Sequence, residues 1–189
     1  MKKITFLLMA LVLSITSCKN EKKEPKSAEI ETPEVVEVAP KKVKIALSAK
    51  SDSDVSGNVV FKETEGEVSM TAIISGLTAG QHAIHIHASS DCSSPDGKSA
   101  GGHWNPTSQP HGKWGAETGY HKGDIGNFTA DEKGNGTISF TTDEWCIGCG
   151  DDTKDILGKA VIVHAGEDDL TSQPSGAAGA RVSCAGIIQ

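Results

Sequence analysis

The sequence predicts an all-β domain, an eight-stranded antiparallel Greek-key barrel or flattened sandwich with two long functional loops. Short runs rich in Val, Ile, Thr and Phe recur, with Gly, Asp, Asn and Pro clusters between them, and no segment sustains a 3.6-residue apolar period. The chain has 189 residues, 37% apolar and 23% charged. That is enough for one ordinary core, and no second long apolar block suggests another.

The strand candidates follow in order. VKIALSA (43–49) ends at the SDSD cluster, SGNVVFKE (56–63) at TEGE, and EVSMTAIISG (67–76) at its own Gly. HAIHIH (82–87) comes next, then GTISFTT (136–142) after Gly134 and Asn135, and KAVIVH (159–164). Two stretches interrupt this spacing: 88–127, rich in Gly, Ser, His and Pro, and 165–182, rich in Gly, Ala and Asp. Loops of that length in a compact domain carry function or are disordered.

Ahead of the domain, Met1, Lys2 and Lys3 precede an apolar run, 4–15, and then Thr16, Ser17 and Cys18. This reads as a signal peptide over 1–17, too short to span a bilayer as a mature helix. The cysteine after the Thr-Ser pair resembles the lipobox of bacterial lipoproteins, which implies acylation of Cys18 and an extracytoplasmic domain anchored to a bacterial membrane, on the periplasmic side or at the cell surface. A plain secretory signal with a chance cysteine is the alternative. Residues 18–42 then form a lipidated cysteine and a tether, because 19–42 holds six lysines, six glutamates, three prolines and no aromatic residue. The domain proper is 43–189. It carries 19 acidic against 10 basic residues, with no basic cluster, which argues against a nucleic-acid partner.

The seven histidines carry the functional signal. Side chains alternate along a strand, so His85 and His87 share one face while His82, Ile84 and Ile86 share the other. His85 and His87 can therefore hold one metal ion together, and His82 reads as a hydrogen-bonded core residue. Within the first long loop, His103, His111, His121 and Asp124 offer three nitrogens and one oxygen, a set suited to structural zinc. His164 ends the strand AVIVH and can join His85 and His87, and nitrogen ligands without Met or Cys favour copper(II) there.

These motifs, GLTAGQHAIHIH, SAGGHWNP, HGKWG, HKGDIGNFTAD, VIVHAGEDDL and GAAGARVSC, resemble those of the copper-zinc superoxide dismutases, in the family's order and over nearly all of 43–189. The resemblance implies copper held by His85, His87, His103 and His164, and zinc held by His103, His111, His121 and Asp124, with His103 bridging the two. It implies that Asp168 links the His85 and His111 rings, that Cys92 pairs with Cys184, and that Arg181 stands at the open copper position. The implied activity converts two superoxide anions and two protons to dioxygen and hydrogen peroxide by alternate reduction and reoxidation of copper. His103 would take up a proton as it leaves reduced copper.

Two other readings keep the scaffold: a copper-handling lipoprotein and a zinc-stabilised adhesion module. The adhesin leaves His85, His87, His164 and Arg181 unexplained. Cys146 and Cys149, in EWCIGCGDD, lie outside the family pattern; a local disulfide, an intersubunit bond and an accessory copper-acquisition site all remain open. Asn127-Phe-Thr and Asn135-Gly-Thr match the glycosylation pattern, and Asn-Gly reads better as a turn. No single residue decides whether the domain forms a homodimer.

Overall fold

The computed structural model describes residues 41–189; the expectations for the signal segment, Cys18 and the tether up to residue 40 lie outside them. Eight strands form: β1 (Lys41–Ala49), β2 (Ser56–Thr64), β3 (Glu67–Ser75), β4 (Gly80–His87), β5 (Gly126–Ala130), β6 (Gly136–Thr142), β7 (Ala160–His164) and β8 (Arg181–Gly186). All pair antiparallel and close into one barrel in the order β1-β2-β3-β6-β5-β4-β7-β8. Closure removes the unpaired edges that an open sheet would expose.

Six strands match the runs read from sequence, and β1 starts earlier, with Lys41 opposite Glu63 and Lys42 opposite Lys62. The other two, β5 and β8, lie where the sequence suggested loop at one or both ends. Both are short, and GNFTA and RVSCAG carry the Gly, Asn and Ser that mark turns. Pairing with β4 and β7 holds them extended despite those residues.

β1 and β3 alternate buried and exposed positions, as strands with one wet face do. Val43, Ile45 and Leu47 point inward from β1, and Val68, Met70, Ala72 and Ile74 from β3. β4 and β7 break this rule. The last six residues of β4 and all five of β7 are buried, because the long loops cover their outer faces. Ile84, Ile86, Val161 and Val163 fill the barrel, whereas Ala160 and Ile162 form a small second core with Ala100 and Cys184 outside it.

The Cys92–Cys184 disulfide pins the first long loop to β8, with Cα atoms 5.8 Å apart. Cys146 and Cys149 form a second disulfide across three positions, the local bond among the alternatives open at the sequence level. The Asp155 carboxylate beside it accepts from the amides of Gly148, Gly150 and Leu157. Its oxygens thus cap a turn.

The chain-entropy model separates the two bonds by loop length. Removing Cys92–Cys184 by paired serine substitution is expected to cost about 4 to 5 kcal/mol, and removing Cys146–Cys149 about 2 kcal/mol. Denaturant unfolding of the metal-free proteins measures both, and equal losses would exclude loop closure as the main contribution.

Candidate metal centre

β4 presents two faces to two environments. His82, with Ile84 and Ile86, points into the barrel, while His85 and His87 point outward beneath the loops. His82 is 2% exposed; its Nδ1 donates to the His164 carbonyl at 2.9 Å, and its Nε2 lies against Thr78, whose hydroxyl is 3.3 Å away. The inward histidine therefore holds the end of β7 in place.

The first long loop folds back along the strand. The Trp104 amide donates to the Ile86 carbonyl at 2.8 Å, and the Ile86 amide donates to the Gly123 carbonyl at 2.9 Å. An isolated bridge pairs His87 with His103. Position 123 must be glycine, because a Cβ there would overlap the Ile86 carbonyl oxygen. These contacts bring His103 and Asp124 alongside the outward histidines, and β7 brings His164 from the other side.

Two clusters result. The ligand atoms of His85, His87, His103 and His164 lie within 4.8 Å of one another, as do those of His103, His111, His121 and Asp124. All seven residues are buried, and His103 belongs to both clusters.

The ring nitrogens divide into partnered and unpartnered sets. His85 Nε2 bonds Asp168 Oδ2 at 2.8 Å, His111 Nε2 bonds Asp168 Oδ1 at 2.9 Å, and His87 Nδ1 bonds the Gly101 carbonyl at 2.9 Å. His164 Nδ1 reaches the Gly179 carbonyl at 3.4 Å. Buried without a hydrogen-bond partner are His85 Nδ1, His87 Nε2, His103 Nε2, His111 Nδ1, His121 Nδ1 and His164 Nε2. A buried polar atom without a partner is costly; here each such atom belongs to a cluster histidine. The donor set of imidazoles and one carboxylate fits metal ions that take nitrogen and oxygen ligands.

Burial keeps three of those rings ready to donate. Burial lowers the His85 pKa to about 4 and that of His164 to about 3, and it holds His87 well below the ordinary value. At neutral pH these imidazoles are uncharged and carry free lone pairs. Burial acts in the same direction on His111, but the Asp124 and Asp168 carboxylates beside its two nitrogens outweigh it and raise the ring to about 9. Burial would raise both carboxylates, yet their histidine partners hold them well below the usual range. Asp124 sits 2.8 Å from His103 Nδ1 and 3.0 Å from His111 Nδ1.

Asp168 is positioned from three sides. The Asn127 side-chain amide accepts from the Asp168 amide and donates to its carbonyl, both at 2.8 Å. The Leu170 amide donates to Oδ1 at 2.7 Å. At Gly176, a Cβ would overlap that same carboxylate and press on His111 Nε2. Gln173 grips the His111 backbone in the same bidentate manner, with both contacts at 2.9 Å. Asn127 had only a glycosylation pattern to mark it in the sequence, and Gln173 had no signal at all. Their partners are 41 and 62 positions away.

A cleft of about 660 Å³ opens onto His87, His103 and His164, with Arg181, Lys98, Asp96 and Ser51 on its rim. The Arg181 Nη1 donates to the Gly97 carbonyl at 2.8 Å, so the loop tied by Cys92–Cys184 holds the guanidinium over the cleft.

A closed eight-stranded barrel carrying two histidine clusters that share one imidazole defines a class of β-barrel that could hold two metal ions side by side. Residues 55–187 match the family Copper/zinc superoxide dismutase (SODC), and the chain belongs to that family. A solved structure of a SOD-like protein from Bacillus subtilis, a double mutant with a tyrosine and a proline each changed to histidine, is similar to it. The TM-score is 0.69 at 29% identity, over 77% of this chain and 97% of that one.

The two faces of β4 separate stability from metal binding. His82→Ala leaves the His164 carbonyl without its donor and opens a cavity, so it should cost about 3 kcal/mol while metal uptake is largely kept. His87→Ala should do the reverse. Denaturant titration and metal content of the two variants distinguish them, and equal metal loss in both would refute the division.

Proposed function

We propose that the protein is a superoxide dismutase that holds copper at His85, His87, His103 and His164, and zinc at His103, His111, His121 and Asp124. The observation that carries this reading is the convergence of six unpartnered histidine nitrogens on two clusters, with His103 common to both. Copper supplies the one-electron couple, and zinc supplies fixed charge and orientation.

The chain's own groups provide the rest. His103 presents Nε2 toward the first cluster and Nδ1 toward the second, so Nε2 is placed to hold a proton and pass it on while Nδ1 keeps the ring in position. Asp168 fixes the tautomers of His85 and His111 by accepting from Nε2 of each, leaving Nδ1 free on both. Arg181 offers parallel donors to a small anion entering the cleft. A focused local field of this kind can outweigh the acidic balance of the surface. In this proposal the domain works at an extracytoplasmic membrane surface, anchored through an acylated Cys18.

Metal analysis with a dismutase assay tests the reading. Copper and zinc near one each per chain with fast turnover are expected; zinc alone without turnover would overturn it. Arg181→Ala should lower the rate constant several-fold and weaken its salt dependence, and an unchanged rate at low salt would refute the steering role.

A further inference from the structure

The segment after β6 holds the neighbours of one residue of the second cluster without giving the cluster a ligand. Glu144 accepts a hydrogen bond from Tyr120 Oη at 2.5 Å and pairs with the ammonium of Lys122. Trp145, 1% exposed, donates from Nε1 to the Lys122 carbonyl at 2.8 Å. Tyr120 and Lys122 flank His121, so these contacts grip the chain on both sides of that histidine.

His121 differs from the other cluster histidines. His85, His87, His111 and His164 each have the ring nitrogen turned away from the cluster bonded to a carboxylate or carbonyl, and His103 spends both nitrogens on the clusters. Among the described residues, none hydrogen-bonds His121 Nε2. A metal-binding histidine is normally oriented through its second nitrogen. The orientation of His121 must therefore come from its backbone.

The gripping segment is itself anchored to the barrel. The Ile147 amide donates to Glu63 Oε2 and the Ile147 carbonyl accepts from Lys41 Nζ, both at 2.8 Å. Trp145 packs against Phe61, Phe140 and Trp114. The Cys146–Cys149 bond closes the turn directly after it.

We propose that Glu144 and Trp145 are positioning residues for His121, and that the Cys146–Cys149 disulfide fixes the arm that carries them. The inference rests on the zinc reading above. Its role is zinc retention: the arm acts on a residue that belongs to the second cluster alone.

The test follows zinc transfer from the copper- and zinc-loaded protein to an excess of chromophoric chelator, with copper retention read in parallel by visible absorption. Glu144→Gln and Trp145→Phe keep the bulk of each side chain and remove the ion pair or the N–H. Each should release zinc about 10-fold faster with copper retention unchanged, and Cys146→Ser with Cys149→Ser should also speed zinc release. Release at the parent's rate in both Glu144→Gln and Trp145→Phe would overturn the arm. Release at the parent's rate in the paired serine variant would overturn the lock. Zinc and copper loosening together would reduce the arm to a general structural role and overturn the proposal. A parent protein that takes up no zinc is a separate result, which would remove the zinc reading itself.

Discussion

The Asp168 carboxylate joins the barrel to the first long loop. One oxygen accepts from His85 on β4, and the other accepts from His111 in the first long loop. The carboxylate is fully buried, where an isolated charge would be prohibitively costly. It is tolerated because the two ring N–H groups and the Leu170 amide satisfy it. Because each imidazole donates there from Nε2, it is Nδ1 that faces its cluster. One ion thus orients two rings; Asn127 and Gly176 keep it in position, and Gln173 holds its partner His111.

This arrangement explains why the loops are long yet ordered. A loop of this length pays a large conformational entropy on folding, and 88–127 contains little apolar material to offset it. The cost is met by tying the loop at intervals: at Cys92 to β8, at Trp104 and Gly123 to β4, at His111 to Gln173, and at Lys122 to Glu144 and Trp145. Each tie lies beside a cluster residue or a residue of the cleft rim. Ordering the loop and building the site are therefore one process.

The sequence made legible whatever depends on local spacing. Alternation along HAIHIH separated His82 from His85 and His87, and the structure brings together the seven residues assigned to the two clusters. Six strands were visible as β-branched runs. β5 and β8 were not, because their residues favour turns and only barrel closure extends them. The contacts that hold the clusters were also hidden. Asn127 and Asp168 meet through folding alone, as do Glu144 and Lys122, and polar residues in irregular segments carry no periodicity to reveal such pairs. Cys146 and Cys149 were visible as a pair, while the link from their loop to His121 depends on Trp145 and Glu144 being turned toward residues 22 to 24 positions earlier.

The two-sided use of β4 ties fold selection to metal chemistry. A strand displaced by one residue against its neighbours turns every side chain to the opposite face. In β4 that displacement would push His85 and His87 into an aliphatic barrel and leave Ile84 and Ile86 under the loops. A chain so misregistered would lack both its core and the nitrogens needed to bind an ion. On the metal reading, ion capture would discriminate between pairings that backbone hydrogen bonding alone barely distinguishes, and metal loading would enrich the population in correctly aligned barrels.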